Sequence, residues 1–137
     1  MNAIRTIAGS IAGAILGLIL LRVIPYSPDL TDWGGRSFPR AYIEPLVLLF
    51  IVGYMSGFLA GQIIPKSGRL AGMLGSIILA VVIIGFDFSS DVVNPLFHHP
   101  AYPSFSDQAL LALGVLLIGG HLGGFKVEKS ALSRPSE

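Results

Sequence analysis

The chain has 137 residues, of which 53% are hydrophobic and 12% charged, with a formal net charge of +1 at pH 7 and no cysteine. A soluble domain carries roughly 25% charged residues, so this composition argues against a soluble fold, and the near-neutral charge argues against a nucleic-acid partner. The lack of cysteine excludes disulfides, thiol nucleophiles and cysteine-based metal sites. A mean hydropathy of +0.74 predicts an integral membrane protein in contact with the lipid bilayer.

Four stretches without Asp, Glu, Lys or Arg approach the length of about 20 residues that a membrane span needs. Flanking basic side chains such as Arg22 and Lys126 can reach the interface and lengthen the shorter stretches. The chain is therefore predicted to be one transmembrane domain over residues 1–137. Its predicted spans are residues 4–24, 45–65, 69–86 and 107–126, its outer loops are 25–44 and 87–106, and a polar tail that frays covers 127–137.

The first stretch follows a short basic N-terminus, as in a signal peptide, but no small-x-small cleavage site comes after it, so we expect an uncleaved span. Six of the nine basic residues fall in the N-terminus, the turn between the second and third spans, and the tail. The positive-inside rule then predicts that both termini are cytoplasmic. We expect the inner membrane of a prokaryote, with a basic rim that contacts anionic lipid.

The chain matches itself at an offset of 63 residues without a gap. Gly57 falls on Gly120, Glu44 falls on another acid, Asp107, and a Lys-Ser pair follows both the second and the fourth span. The predicted fold class is an all-α membrane protein whose four transmembrane helices form two tandem repeated hairpins. This parallel repeat would be related by a pseudo-twofold axis along the membrane normal. A duplicated hairpin is not by itself evidence of transport.

Small residues recur at four-residue steps in each predicted span and so form stripes along one helix face. In lipid, helices associate by close packing, and small residues let their backbones approach. These stripes predict the seams of a tight four-helix bundle. The alternative is that a stripe faces another protein or another copy, above all in the fourth span, where Gly119 and Gly123 double the set. The predicted packing residues are Gly9, Gly13, Gly17, Gly53, Gly57, Gly61, Gly72, Ser76, Ala80, Gly120 and Gly124.

Candidate sites for chemistry are few. His121 is the titratable group inside a predicted span, and its flanking glycines suggest room for a flat ring, so it is either an axial ligand of haem or chlorophyll or an interfacial histidine bonded to a neighbour. His98 and His99 lie in the second outer loop near several aspartates. Adjacent histidines in an extended segment point in opposite directions, and zinc ligands are usually spaced apart. We therefore predict no metal site and no cofactor apart from the alternative at His121.

The remaining polar groups of the second span, Ser56 and Gln62, are predicted to hydrogen-bond between helices. The aromatic, proline-rich outer loops are expected to include a short interfacial helix near residues 38–43. No nucleophile–base pair can be assembled, so no enzyme is predicted. The leading interpretation is an accessory or assembly subunit of a larger membrane complex, or a homo-oligomer, with other subunits or its own copies as partners. The alternative is a small channel or transporter formed by the bundle or its dimer.

Overall fold

The computed structural model describes residues 2–23, 38–85 and 105–134. Within these ranges the chain forms four α-helices: α1 (Asn2–Val23), α2 (Phe38–Ile63), α3 (Gly68–Gly85) and α4 (Phe105–Leu132). Four segments are long and apolar enough to cross a membrane: Ala3–Val23, Leu46–Ile63, Pro65–Gly85 and Leu110–Leu132. The prediction of an all-helical chain with four candidate spans is confirmed.

A short 3₁₀ helix, Pro65–Ser67, connects α2 to α3. Pro65 ends α2 because a proline ring clashes with a helical conformation of the residue before it. Ile64 accordingly has φ −135° and ψ 79°, outside the helical region, and the Ser67 amide donates to the carbonyl oxygen of Ile64 at 3.1 Å. So short a connection makes α2 and α3 antiparallel neighbours. We call this end of the bundle the turn end. The opposite end, at which α1 and α3 end and α2 and α4 begin, is called the loop end.

The α2–α3 hairpin is the centre of the bundle. Both α1 and α4 pack on α2 and on α3, whereas α1 and α4 contact each other far less. The outer helices therefore lie on opposite sides of the hairpin. A strict pseudo-twofold repeat would make the α1–α4 contact equivalent to the α2–α3 contact. The packing does not display that equivalence, and the tandem repeat stays a prediction from sequence.

The interior differs between the two ends of the bundle. Toward the loop end it is filled by large side chains, which form a cluster with Ala14, Ala80 and Ala112. The large, fully buried members of this cluster are Leu21, Leu49, Val52, Leu79 and Leu116. Toward the turn end, buried Ala60 and Ala71 replace them and glycines line the contacts. Helix axes separated by leucine side chains at one end can thus come into backbone contact at the other.

The outward faces of all four helices are apolar. On α1 a row of isoleucines at four-residue steps, including Ile11, Ile15 and Ile19, is about half exposed. Exposed Ile51 of α2, Ile77 of α3 and Ile118 and Leu122 of α4 continue this apolar exterior around the bundle. Water would not favour such a surface, whereas lipid tails cover it without cost. The four helices therefore indicate an integral membrane protein in contact with the bilayer.

Two helices extend further than the sequence predicts. Helix α2 begins at Phe38, so its first turns take the place of the separate interfacial helix expected near residues 38–43. Helix α4 continues to Leu132, and Val127 and Glu128 are buried, at 6% and 8% exposure, where a fraying tail was predicted. The burial of these two side chains against neighbouring helices is the physical reason for the longer helix. The segments 24–37 and 86–104, including His98 and His99, lie outside the described residues.

Candidate functional site

The candidate site is the set of close helix contacts around α4. Four glycines of α4 take part: Gly119, Gly120, Gly123 and Gly124. A Cβ atom placed on Gly119 would come 2.6 Å from the carbonyl oxygen of Phe50 in α2, and one placed on Gly120 would come 2.6 Å from that of Gly72 in α3. Because successive helix residues point about 100° apart, adjacent glycines face the two neighbours at once. The doubled glycines of this helix therefore lie at contacts inside the bundle.

The stripe of α2 faces α4 from the other side of the same contact. A Cβ on Gly53 would lie 2.8 Å from the carbonyl oxygen of Leu116, and one on Gly57 would overlap the backbone of Gly120. Further toward the turn end, Gly61 lies against Val127. Helix α4 therefore rests on α2 along three successive turns, with backbone against backbone at Gly53 and Gly57 and the Val127 side chain against the backbone at Gly61.

The remaining predicted packing residues also lie between helices. On α1, Gly9 and Gly13 lie against Ala60 of α2, while Gly17 lies against the side chain of Leu79 in α3. On α3, Gly72 faces Gly57 and Gly120, and both Ser76 and Ala80 are buried. The predicted stripes thus lie at helix contacts. The stripe of α1 contacts α2 and α3, and the stripes of α2 and α3 contact α4.

Three serine hydroxyls are buried in the interior, at 1% exposure or less. The single hydrogen of the Ser10 hydroxyl is shared between two carbonyl oxygens, that of Thr6 at 2.7 Å and that of Ala71 in α3 at 3.1 Å, and so joins two helices. The Ser76 hydroxyl donates within its own helix to Gly72 at 3.0 Å. Sequence reasoning missed Ser10, although Thr6, Ser10 and Ala14 form a second stripe of small residues beside the glycines of α1.

The predicted hydrogen bonds of Ser56 and Gln62 between helices are not found. Ser56 is completely buried, yet its hydroxyl oxygen has no hydrogen-bond partner. It faces Gly13, which has no side chain to offer a polar atom. Gln62 is exposed near the end of α2. Spacing places a residue on a helix face, but it does not reveal which group stands opposite.

We expect Ser56→Ala to raise the free energy of unfolding by up to about 1 kcal/mol, because it removes a buried hydroxyl that lacks a partner. The matched change Ser10→Ala should lower it by about 0.6 kcal/mol, since it removes a hydrogen bond between helices. Thermal unfolding in one detergent, followed by circular dichroism, measures both. Equal destabilisation by the two variants would mean that Ser56 does have a partner, such as a bound water.

At the turn end, Arg69 and Glu128 join the start of α3 to the last turns of α4. The Glu128 carboxylate accepts from Arg69 Nε at 3.1 Å, from Nη2 at 2.9 Å and from the backbone amide at 3.1 Å. That amide belongs to the first turn of α3, where N–H groups have no partner within the helix and where a negative charge is favoured. The guanidinium also lies 5.5 Å from the ring centre of Phe125. We call Arg69, Glu128 and Phe125 the α3–α4 clasp.

His121 lies half-buried beside the clasp. Its ring is nearly parallel to that of Phe125, at 3° between planes, with the ring centres 6.3 Å apart. The faces of the glycines that flank it are in contact with neighbouring helices, and the haem or chlorophyll alternative stays a prediction from sequence. Within the described ranges, no three His, Cys, Asp or Glu side chains are grouped to hold a metal ion.

Comparison with known proteins adds no family assignment. The chain matches no protein-family model, and neither the curated proteins nor the solved structures contain a significant match. The packing geometry itself is therefore the basis on which a function can be proposed.

Proposed function

We propose that the chain acts through helix packing and interaction, as an accessory or assembly subunit of a larger membrane complex or as a homo-oligomer. The observation that supports this is the contact between Gly57 and Gly120, where two helix backbones meet in the middle of the bundle. A conducting pathway needs polar groups or water along a lumen. Here the helices touch at that place, and no room for a lumen is left between α2 and α4.

The buried polar groups also support a structural role for the bundle. In the described part of the chain they are Thr6, Ser10, Ser56, Ser76 and Glu128. Glu128 is paired with Arg69 at the turn end, and the other four are hydroxyls. Intramembrane ionisable residues are the usual mark of proton relays and ion pathways, and the interior between the helices offers hydroxyls in their place.

We also propose that the chain is not an enzyme. No serine hydroxyl in the described ranges is hydrogen-bonded to a histidine or a carboxylate, whereas an activated nucleophile requires such a base. The arrangement of hydroxyls on backbone carbonyls is typical of helix packing.

For the orientation, we propose that the turn end is cytoplasmic and that the membrane is the inner membrane of a prokaryote. The bundle gathers basic residues at this end: Arg5 and Lys66 line one groove, Lys126 and Arg134 line another, and Arg69 lies in the clasp. Lys and Arg accumulate on the cytoplasmic side of membrane proteins.

The test is extraction of the full chain from its native membrane in a mild detergent, followed by native mass spectrometry. We expect recovery in a stoichiometric complex, either with larger subunits or with copies of itself. An unrelated four-span protein carrying the same tag serves as the control for adventitious association. Recovery as a monomer, together with ion or solute flux in liposomes, would contradict the proposal and support the channel alternative.

A further inference from the structure

A groove of about 450 Å³ lies at the turn end between the last turns of α2 and α4. We call it the basic groove, and the residues that shape it include Phe58, Gln62, Lys126, Val127, Ser130 and Arg134. Its volume is within the range of pockets that hold small molecules, about 300–1,000 Å³. The groove is separate from the α3–α4 clasp, which lies on the α3 side of α4.

The polar side chains of the basic groove are all hydrogen-bond donors to an anion. Lys126 and Ser130 are one turn apart on the same face of α4, and Arg134 follows two residues after the helix ends. Gln62 adds an amide from α2. Neither Lys126 nor Arg134 forms a salt bridge with any residue that the structure describes, and no acidic side chain lines the groove. Two cations without an ion-pair partner among the described residues, with neutral donors between them, suit a phosphate group, which a guanidinium binds in a bidentate manner.

The position of the groove favours a lipid over a soluble anion. Phe58 and Val127 form its inner part, next to the apolar bodies of α2 and α4, while Ser130 and Arg134 form its outer part beyond them. Lys126 lies at the level of Val127 on α4 and has a side chain long enough to carry its ammonium group toward the interface. A phospholipid has the same order of chemistry, with acyl chains followed by a phosphate. The groove opens beside helices whose exposed faces are apolar, so a lipid can reach it from the bilayer without crossing water.

We propose that the basic groove binds the phosphate headgroup of an anionic phospholipid, with Lys126 and Arg134 as its cationic ligands and Phe58 and Val127 against the start of an acyl chain. A second groove on the other side of Pro65 carries Arg5 and Lys66. This end of the bundle therefore presents cations around the site and attracts the same kind of headgroup. The proposal concerns lipid selectivity and stands whether or not the chain joins a larger complex.

The test is native mass spectrometry of the purified full chain in detergent with added phosphatidylglycerol or phosphatidylcholine. Both lipids carry a phosphate, but the choline cation cancels its charge in phosphatidylcholine, whereas phosphatidylglycerol keeps a net negative charge. We expect phosphatidylglycerol to bind at least fivefold more tightly. Lys126→Gln should weaken its binding about fivefold, as expected for removal of one cation near a headgroup, and Lys126→Arg should restore it. The matched control is Lys129→Gln, which removes an exposed charge from the same helix outside the groove and should change little.

Three results would overturn the proposal. Equal binding of the two lipids would show that the groove does not select for negative charge. An equal loss on Lys129→Gln would show diffuse attraction to a basic rim, without a site. Displacement of phosphatidylglycerol by low millimolar glycerol phosphate would assign the groove to a soluble phosphate compound. Because lipid adducts are measured on the mass of the chain itself, these outcomes are independent of whether a protein partner is recovered.

Discussion

Gly120→Ala should destabilise the bundle by about 3 kcal/mol, the upper part of the range observed when atoms are added to a well-packed interior. The added methyl group would meet the carbonyl oxygen of Gly72 at 2.6 Å and the side chain of Ser76. A backbone cannot rotate away as a flexible side chain can, so α4 must move as a unit. Gly57→Leu, in the contact between α2 and α4, should have a still larger effect. Thermal unfolding in detergent and the assembly state by size-exclusion chromatography measure both.

Gly114→Ala provides the matched control in the same helix. A Cβ on Gly114 meets no atom within 4 Å, so alanine should be neutral there or should stabilise the helix by up to about 1 kcal/mol. The difference in unfolding free energy between Gly114→Ala and Gly120→Ala then separates the effect of close backbone contact from the general effect of glycine on helix formation. If the two alanine variants unfold at the same temperature, α4 does not rest on α3 as described, and the packing account is wrong.

Breaking the α3–α4 clasp is expected to have the second largest effect. Arg69→Gln leaves the mostly buried Glu128 carboxylate without its two guanidinium hydrogen bonds, and we expect a loss of about 1–2 kcal/mol in the free energy of unfolding. The figure lies below that for a fully buried ion pair because the Arg69 side chain is 50% exposed and screened by solvent. Glu128→Gln should cost a similar amount, and the double variant should show a coupling energy of about 1 kcal/mol.

Hydrogen exchange separates this role from a general loss of stability. In Glu128→Gln, the amides of residues 129–132 should exchange faster, because the clasp holds the last turn of α4 against α3. Lys66→Gln removes an exposed charge from the same end of the bundle and should leave that exchange unchanged. Additive effects of Arg69→Gln and Glu128→Gln, with no coupling energy, would show that the pair is not formed.

The sequence predicts the helices well because their signal is local. Long runs without charged residues mark four candidate spans, and four-residue steps of small residues mark the faces along which backbones meet. The spacing does not show how many neighbours a helix has. The doubled glycines of α4 therefore suggested an outward face, whereas Gly119 contacts α2 and Gly120 contacts α3 inside the bundle.

Contacts between distant residues were the part that sequence could not supply. Glu128 stands in a polar segment and looks like part of a loose tail, and its partner Arg69 is 59 positions away. Ser56 looks like a hydrogen-bonding residue, but the helix opposite presents Gly13. The basic groove likewise combines the ends of α2 and α4, whose residues share no local pattern. Each of these features depends on which helices become neighbours.

The central α2–α3 hairpin has a consequence for biogenesis. Only a 3₁₀ turn separates these two helices, so their association closes a very short loop at little entropic cost. Because α4 follows the hairpin in the chain, it finds its docking surface on helices that were synthesised before it. Glu128 is synthesised after both helices of the hairpin, and its pairing with Arg69 can form only once this fourth helix has been made. A chain truncated before α4 would lack the clasp and would leave the glycine-lined face of α3 uncovered.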